Sequence, residues 1–480
     1  MTALAPPPRA LSWRTRLSFG VGSVAYGIKD NGFATFLLLY YNQVMGLPAA
    51  TVGTVIALVL VVEAFADPLV GYLSDNTRGA WGRRHPWMYG SALPVALGWL
   101  LLWNPPAGWS QGALLGYLFG AALLVRLALS MFEIPGAAIG PELSSDYDER
   151  TRLFAYRYLF GWIGGLAMLF LAYVVFLVPD ATHPVGLQNP LGYSRMALAG
   201  AIAMAGAILL SSLGLHREIP HLPPAEPQEA SLAAHFAAFA QTVRNKAFLI
   251  LMLAGVFAYS AQGVSFALSN YMYSFVWRFE GADLMLLPLV LLIGAGSAFV
   301  LAPILTRRGD KNRAAAVLVI ACGVLLAGPY LLHWLGLFPA PGRPSTTYLL
   351  FAIFAVNTAA GVAGFILGAS MLSDVTEDSQ RRTGRRSEGV FFAGSFFVQK
   401  LVGGLGTFLA GQILALAAFP ANATPGAVSE DVVERLAILF AGVVFAGYGA
   451  AGVANWFFPF GRAAHAERIA AVRQATGAPR

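Results

Sequence analysis

A single cysteine, Cys322, among 480 residues leaves no partner for a disulfide within the chain. Charge is scarce as well. Only 11% of residues are charged and 57% are hydrophobic, with a mean hydropathy of +0.64, whereas a soluble domain carries about a quarter charged residues. The composition is that of a polytopic membrane protein. Strand-type alternation is missing, which argues against a transmembrane barrel. Neither an HExxH zinc motif nor a nucleophile elbow occurs, and the seven histidines fall mostly in loops or near helix ends, so a membrane enzyme is disfavoured. No cofactor is implied. A passive channel remains conceivable, and accumulation of solute against its gradient would exclude it.

Long apolar runs take up most of the chain. They cover residues 17–44, 52–73, 87–103, 113–139, 154–178, 196–215, 248–277, 284–305, 314–335, 348–372, 390–419 and 436–458. Each is near or above the roughly 20 residues that a helix needs to cross a bilayer, so the sequence predicts an all-α protein of twelve transmembrane helices. The polar interval 216–245, with Pro220, Pro223, Pro224 and Pro227, separates two six-helix halves, 17–215 and 246–459, between tails 1–16 and 460–480. Leu232, Phe236, Phe239 and Val243 stand at helical spacing in that interval, which suits an amphipathic surface helix as well as a plain tether. Leu143-Ser-Ser-Asp146 after the fourth span echoes Leu372-Ser-Asp374 after the tenth, a hint of the duplication common in transporters.

Basic residues set the orientation. With the N-terminus inside, most of the 31 Lys and Arg lie in cytoplasmic segments and four in external loops, while Lys29, Arg126 and Lys400 fall within spans. Both termini are then cytoplasmic, in a bacterial inner membrane. The basic clusters Arg78, Arg83, Arg84; Arg307, Arg308, Lys311, Arg313; and Arg381, Arg382, Arg385, Arg386 read first as topology determinants and lipid-headgroup contacts. The net charge of +7 follows from that topology and gives no reason to expect nucleic acid. The first residues carry no cleavage site before a short apolar core, so the first span is expected to stay.

Carboxylates inside the apolar runs are the informative exceptions. Glu63-Ala-Phe-Ala-Asp67-Pro68 lies in the second span and Glu133-Ile-Pro135 in the fourth. Ionised groups in hydrocarbon cost several kcal/mol and mark functional sites by default. Each proline also deprives a carbonyl one turn back of its helical partner, so acidic oxygens and freed carbonyls could together hold a cation. Glu63 and Asp67 are four apart, and Arg126, Ser130 and Glu133 follow at spacings of four and three, so each set lines one helix face. Asp67 could instead belong to a cytoplasmic gate. Arg126 could form a structural pair with Glu63 or Glu133 or receive an anionic group, and Lys400 could be a structural counter-ion. Gly161, Gly165, Gly403, Gly404 and Gly406 suit close helix packing.

With those residues in view, Asp67-Pro-Leu-Val-Gly71-Tyr-Leu-Ser-Asp75 followed by Trp81-Gly-Arg-Arg84 resembles the loop signature of the melibiose permease-like glycoside-pentoside-hexuronide:cation symporters of the major facilitator superfamily. Tyr26-Gly-Ile-Lys-Asp30, Glu133-Ile-Pro135, Pro141-Glu-Leu-Ser-Ser-Asp146, Glu149-Arg150, Arg157, Ser373-Asp374, Thr383-Gly384, Glu388-Gly389 and Lys400 match further segments in the same order. The resemblance implies a fold of two pseudo-symmetric six-helix bundles around a central site. It implies solute binding by Asp30, Glu133 and Arg157, with Lys29 and Arg126 beside them, Phe365 in place of a tenth-span tryptophan, and Lys400 facing from the other half. Glu63, Asp67, Ser130 and Glu133 would surround the coupling cation. Asp75, Arg83, Arg84, Glu142, Asp146, Arg150 and Asp374 would form the cytoplasmic gate.

Departures sharpen the expectation. Small Gly136 and Ala137 replace the family's sugar-stacking aromatic, and Ala66 replaces an amide used for sodium selectivity. Galactoside recognition and sodium coupling both lose support. The expected activity is cation-coupled symport of a sugar, glycoside or sugar-like solute, driven by H+ in preference to Na+, by a monomer whose other partners are membrane lipids. The alternative is a carrier of lysolipid or another amphiphile.

Overall fold

The computed structural model describes residues 11–144, 146–222, 245–308, 310–383 and 388–459. Gly384, Arg385, Arg386, the tail 460–480 and the amphipathic pattern of 232–243 lie outside the described residues. Every described element is helical. Ten helices are long and apolar enough to span a membrane, among them Ala49–Asn76, Gln111–Leu143, Pro190–His216 and Glu430–Trp456. The expected third span is the helix His85–Leu102, and the first is a chain of shorter pieces. The protein divides into two compact units, residues 1–232 and 233–480.

In the first unit, local chemistry sets where helices begin. Ser12, Ser110, Asp146 and Asn189 each precede a helix and accept from backbone N–H groups of its first turn, which satisfies donors that would otherwise be orphaned. Helices Ala49–Asn76 and Gln111–Leu143 run on through Pro68 and through Pro135 and Pro141. The first span is different. It consists of Trp13–Val21 and Ser23–Asn31, followed by π-helical turns over Gly32–Leu37 and Tyr40–Val44. Such turns are rare and concentrate at functional sites. Gly32 sits against the ring of Trp99, where any Cβ would collide. The Tyr40 hydroxyl donates to Trp103 O at 3.0 Å and that of Tyr41 to Leu102 O at 2.8 Å. Two phenols thus satisfy carbonyls that the end of His85–Leu102 leaves open.

A glycine seam joins the first span to the fifth. A Cβ on Gly27 would fall on the backbone of Gly161 and Gly165, and one on Gly164 would fall on Val24. The expected packing role of Gly161 and Gly165 is what the structure shows. The second unit repeats the device between the seventh span, Lys246–Tyr271, and the eleventh, Glu388–Leu416, where Gly263 and Gly406 meet backbone to backbone. Its core holds the fully buried Trp277, Tyr271, Phe248 and Phe391. In the first unit the corresponding mass is Trp99, Trp103, Tyr41 and Tyr193, with Trp103 stacked on Tyr193 at 5.6 Å and 11°.

Candidate functional site

The acidic face of the second span and the polar face of the fourth meet as the spacing predicts. Arg126 pairs with Glu63, at 6% and 3% exposure respectively, so of the two carboxylates weighed for it, Arg126 takes Glu63. One turn further along, Ser130 donates its hydroxyl to Asp67 Oδ1 at 2.6 Å. Another turn on, Glu133 receives Arg157 Nη2 from the fifth span at 2.6 Å. Lys29 Nζ lies 3.8 Å from Asp30 Oδ1 on the first span, with the lysine buried and the aspartate side chain 56% exposed.

Two atoms of this cluster remain chemically open. Arg126 Nε and Glu133 Oε1 are buried and have no hydrogen-bond partner among the described residues. A buried polar atom left unpaired costs about 1 to 3 kcal/mol, so a donor and an acceptor of this kind are satisfied by ordered water or by a bound polar group. Gly136 contributes space. A Cβ there would stand 3.3 Å from Arg157 Nη1, so the position of the missing aromatic is one the guanidinium uses.

The end of the second span, the start of the third and the end of the fourth carry a second charged group. Arg83 Nη2 and Arg84 Nη2 both donate to Glu142 Oε1, at 2.7 and 3.1 Å, and Arg84 also pairs with Asp75 and reaches Ser74 Oγ at 3.1 Å. Asp146 and Arg150 are used differently. Asp146 caps the fifth span by accepting from Glu149 N at 2.7 Å, and Arg150 donates to the carbonyls of Ser144 and Pro141. Sequence spacing did not single out Glu149 as an ion-pair partner, yet it takes Arg16 Nε at 2.5 Å. Thr15 beside it donates to the buried Glu218 at 2.9 Å.

In the second unit, Asp374 pairs with Lys311 at 3.3 Å. Phe365 lies on the tenth span and is 46% exposed, and Lys400 is half-buried on the eleventh.

Buried acid–base pairs on facing helices, within an all-helical chain of two six-span units, define a multi-pass membrane transporter. The family profile described as MFS/sugar transport protein matches residues 18–462, and the chain belongs to that family. Among curated relatives it is 24% identical to the "Glucuronide carrier protein homolog" of Escherichia coli, over 94% of this chain and 93% of the relative. It is 25% identical to the "Isoprimeverose transporter" of Lactiplantibacillus pentosus, over 93% and 88%. The fold is similar to that of a D-xylose-proton symporter, with a TM-score of 0.64, 12% identity, and coverage of 93% of this chain and 97% of the other.

Proposed function

We propose that this protein is a cation-coupled symporter of a sugar, glycoside or sugar-like solute, with H+ as the coupling ion in preference to Na+. The carrying observation is the ladder Arg126–Glu63, Ser130–Asp67 and Arg157–Glu133 across three spans, with Arg126 Nε and Glu133 Oε1 open beside it. Hydroxyl groups both donate and accept, so a sugar can engage an open donor and an open acceptor at once. A few such groups in an otherwise apolar cavity fix a ligand's orientation.

Protons suit the acidic pair on the second span better than sodium does. Sodium needs several converging oxygens, and at Asp67 the neighbouring Ala66 supplies none from its side chain. A proton needs only one carboxyl oxygen. An amphiphile carrier has less support, since Gly136 makes room for a guanidinium. In this reading it sits in a bacterial inner membrane with both termini cytoplasmic and acts as a monomer by alternating access.

The test is uptake of radiolabelled isoprimeverose and methyl glucuronide into proteoliposomes under an imposed pH gradient, with and without sodium. Concentrative uptake of either sugar without sodium is expected. Strict sodium dependence would overturn the choice of ion, and saturable uptake of a lysophospholipid but neither sugar would overturn the choice of solute.

A further inference from the structure

Phe19, Tyr26 and Phe33 stand seven residues apart along the first span, and each ring covers the cationic head of a different interior side chain. The Arg157 guanidinium carbon lies 5.3 Å from the centroid of Phe19, Lys29 Nζ 4.5 Å from that of Tyr26, and the Arg126 guanidinium carbon 4.7 Å from that of Phe33. Each of these cations also pairs with a carboxylate: Arg157 with Glu133, Lys29 with Asp30 and Arg126 with Glu63. Two of the rings are held from behind, Phe19 by Phe154 at 5.9 Å edge-on and Phe33 by Trp99 at 6.3 Å. Phe33 belongs to the π-helical turn Gly32–Leu37.

We propose that Phe19, Tyr26 and Phe33 are positioning residues that hold the cations of the first unit against their carboxylates, making the first span the element that sets the strength of all three pairs. This reading deepens the proposed symport and rests on it. The face of an aromatic ring carries negative potential, so a cation over it is attracted without a hydrogen bond being used. A guanidinium donates only in its own plane. A ring over one face therefore leaves the N–H edge for the carboxylate and for a solute, and keeps water from that face.

Phe19 and Phe33 cover guanidinium groups of other spans, Arg157 and Arg126, so a shift of the first span moves both rings relative to their cations. The counter-charges of Glu133 and Glu63 are then less firmly positioned. In this way the Arg126–Glu63 pair and the solute contacts of Arg157 and Glu133 share one mechanical control.

The first test uses purified protein with no solute. The protonated-carboxyl infrared band assigned by Glu63→Gln is titrated in wild type, Phe33→Leu and Phe33→Tyr. Leucine keeps an apolar side chain and removes the ring, so the band is expected to titrate at higher pH by about half a unit or more, with Phe33→Tyr returning it to the wild-type value. An unmoved band in Phe33→Leu, or Phe33→Tyr behaving like leucine, overturns the proposal. Should Phe33→Leu fail to fold, Tyr26 decides the matter, because at 38% exposure it tolerates replacement. Labelling of Lys29 by an amine-reactive reagent rises in Tyr26→Leu and stays at the wild-type level in Tyr26→Phe; equal labelling in both overturns the proposal.

The second test reads isoprimeverose uptake in proteoliposomes. Phe19→Leu is expected to raise KM roughly ten-fold with the pH profile of uptake unchanged, whereas Phe33→Leu moves the pH profile. A pH shift in Phe19→Leu with KM unchanged overturns the assignment of the rings to separate pairs. Failure of wild-type uptake counts against the proposed symport alone, and the infrared titration and Lys29 labelling still decide the role of the rings.

Discussion

The Ser130 hydroxyl donates to Asp67 Oδ1 at 2.6 Å, tying the fourth span to the second at the base of the acidic face. Hydrogen bonds to a charged acceptor contribute about 1.5 to 3 kcal/mol. Ser130→Ala is expected to weaken the coupling ion's effect on solute affinity roughly ten-fold, while Ser130→Thr keeps it. Binding isotherms at several pH values check this, and an alanine variant with wild-type linkage between pH and solute affinity would remove Asp67 from the coupling site.

Glu63 and Arg126 are a buried pair, so single and double replacements part ways. Removing one partner strands the other charge and costs about 3 to 5 kcal/mol. Glu63→Gln is therefore expected to melt earlier and to lose concentrative uptake while it retains solute exchange. Glu63→Gln with Arg126→Met regains much of the stability without regaining coupling. Thermal melts of detergent-solubilised protein, run beside counterflow assays, separate the two effects.

Where the second span ends, Asp75 and Glu142 share Arg84, and Glu142 also takes Arg83. Salt bridges that exchange as a transporter opens act on rate more than on affinity. Reversing the charge with Asp75→Arg is expected to slow turnover about ten-fold or more and to change solute affinity less than two-fold. Equal losses in the two measurements would count against a gating role.

The loop before the sixth span offers a prediction in pH. The Thr182 hydroxyl is the main cause that holds the Asp180 carboxyl well below the usual carboxylate range, with the backbone N–H groups of His183 and Thr182 adding to it. A carboxyl whose folded-state proton affinity is lowered contributes stability above its unfolded pKa of about 3.9 and loses that contribution as pH falls toward its folded value. Loop protection is thus expected to be level from neutral pH down to about pH 4 and to decline below it. Amide exchange at Thr182 and His183 reads this directly, and Asp180→Asn should abolish the decline.

Much of this arrangement is legible in the order of residues. Apolar length and basic loops place the spans, and spacings of three and four place Glu63, Asp67, Arg126, Ser130 and Glu133 on facing stripes. Which carboxylate Arg126 takes is not legible, because Glu63 and Glu133 are both within reach of a long side chain until the second helix is docked against the fourth. The local uses of Asp146 and Arg150 are hidden for a similar reason: an aspartate three residues before a glutamate reads equally well as a cap and as a charge for a gate. The seven-residue interval of Phe19, Tyr26 and Phe33 was present in the letters. Aromatic side chains are ordinary filler in a membrane helix, and only the distances to Arg157, Lys29 and Arg126 set these three apart.

The glycine seam between the first and fifth spans has a consequence for biogenesis. Gly27 packs on Gly161, and about 130 residues of chain separate them. At the usual pace of synthesis, roughly 5 to 20 residues per second, the first span waits about 7 to 26 seconds for the surface it fits. During that interval the first span can meet Trp99 and Trp103 of the third and Arg126 of the fourth, but its glycine face has no surface to fit. The insertion machinery must shelter it until the fifth span arrives. A side chain added at Gly27 would therefore show its damage first as degraded nascent chains, before any mature carrier exists to be assayed.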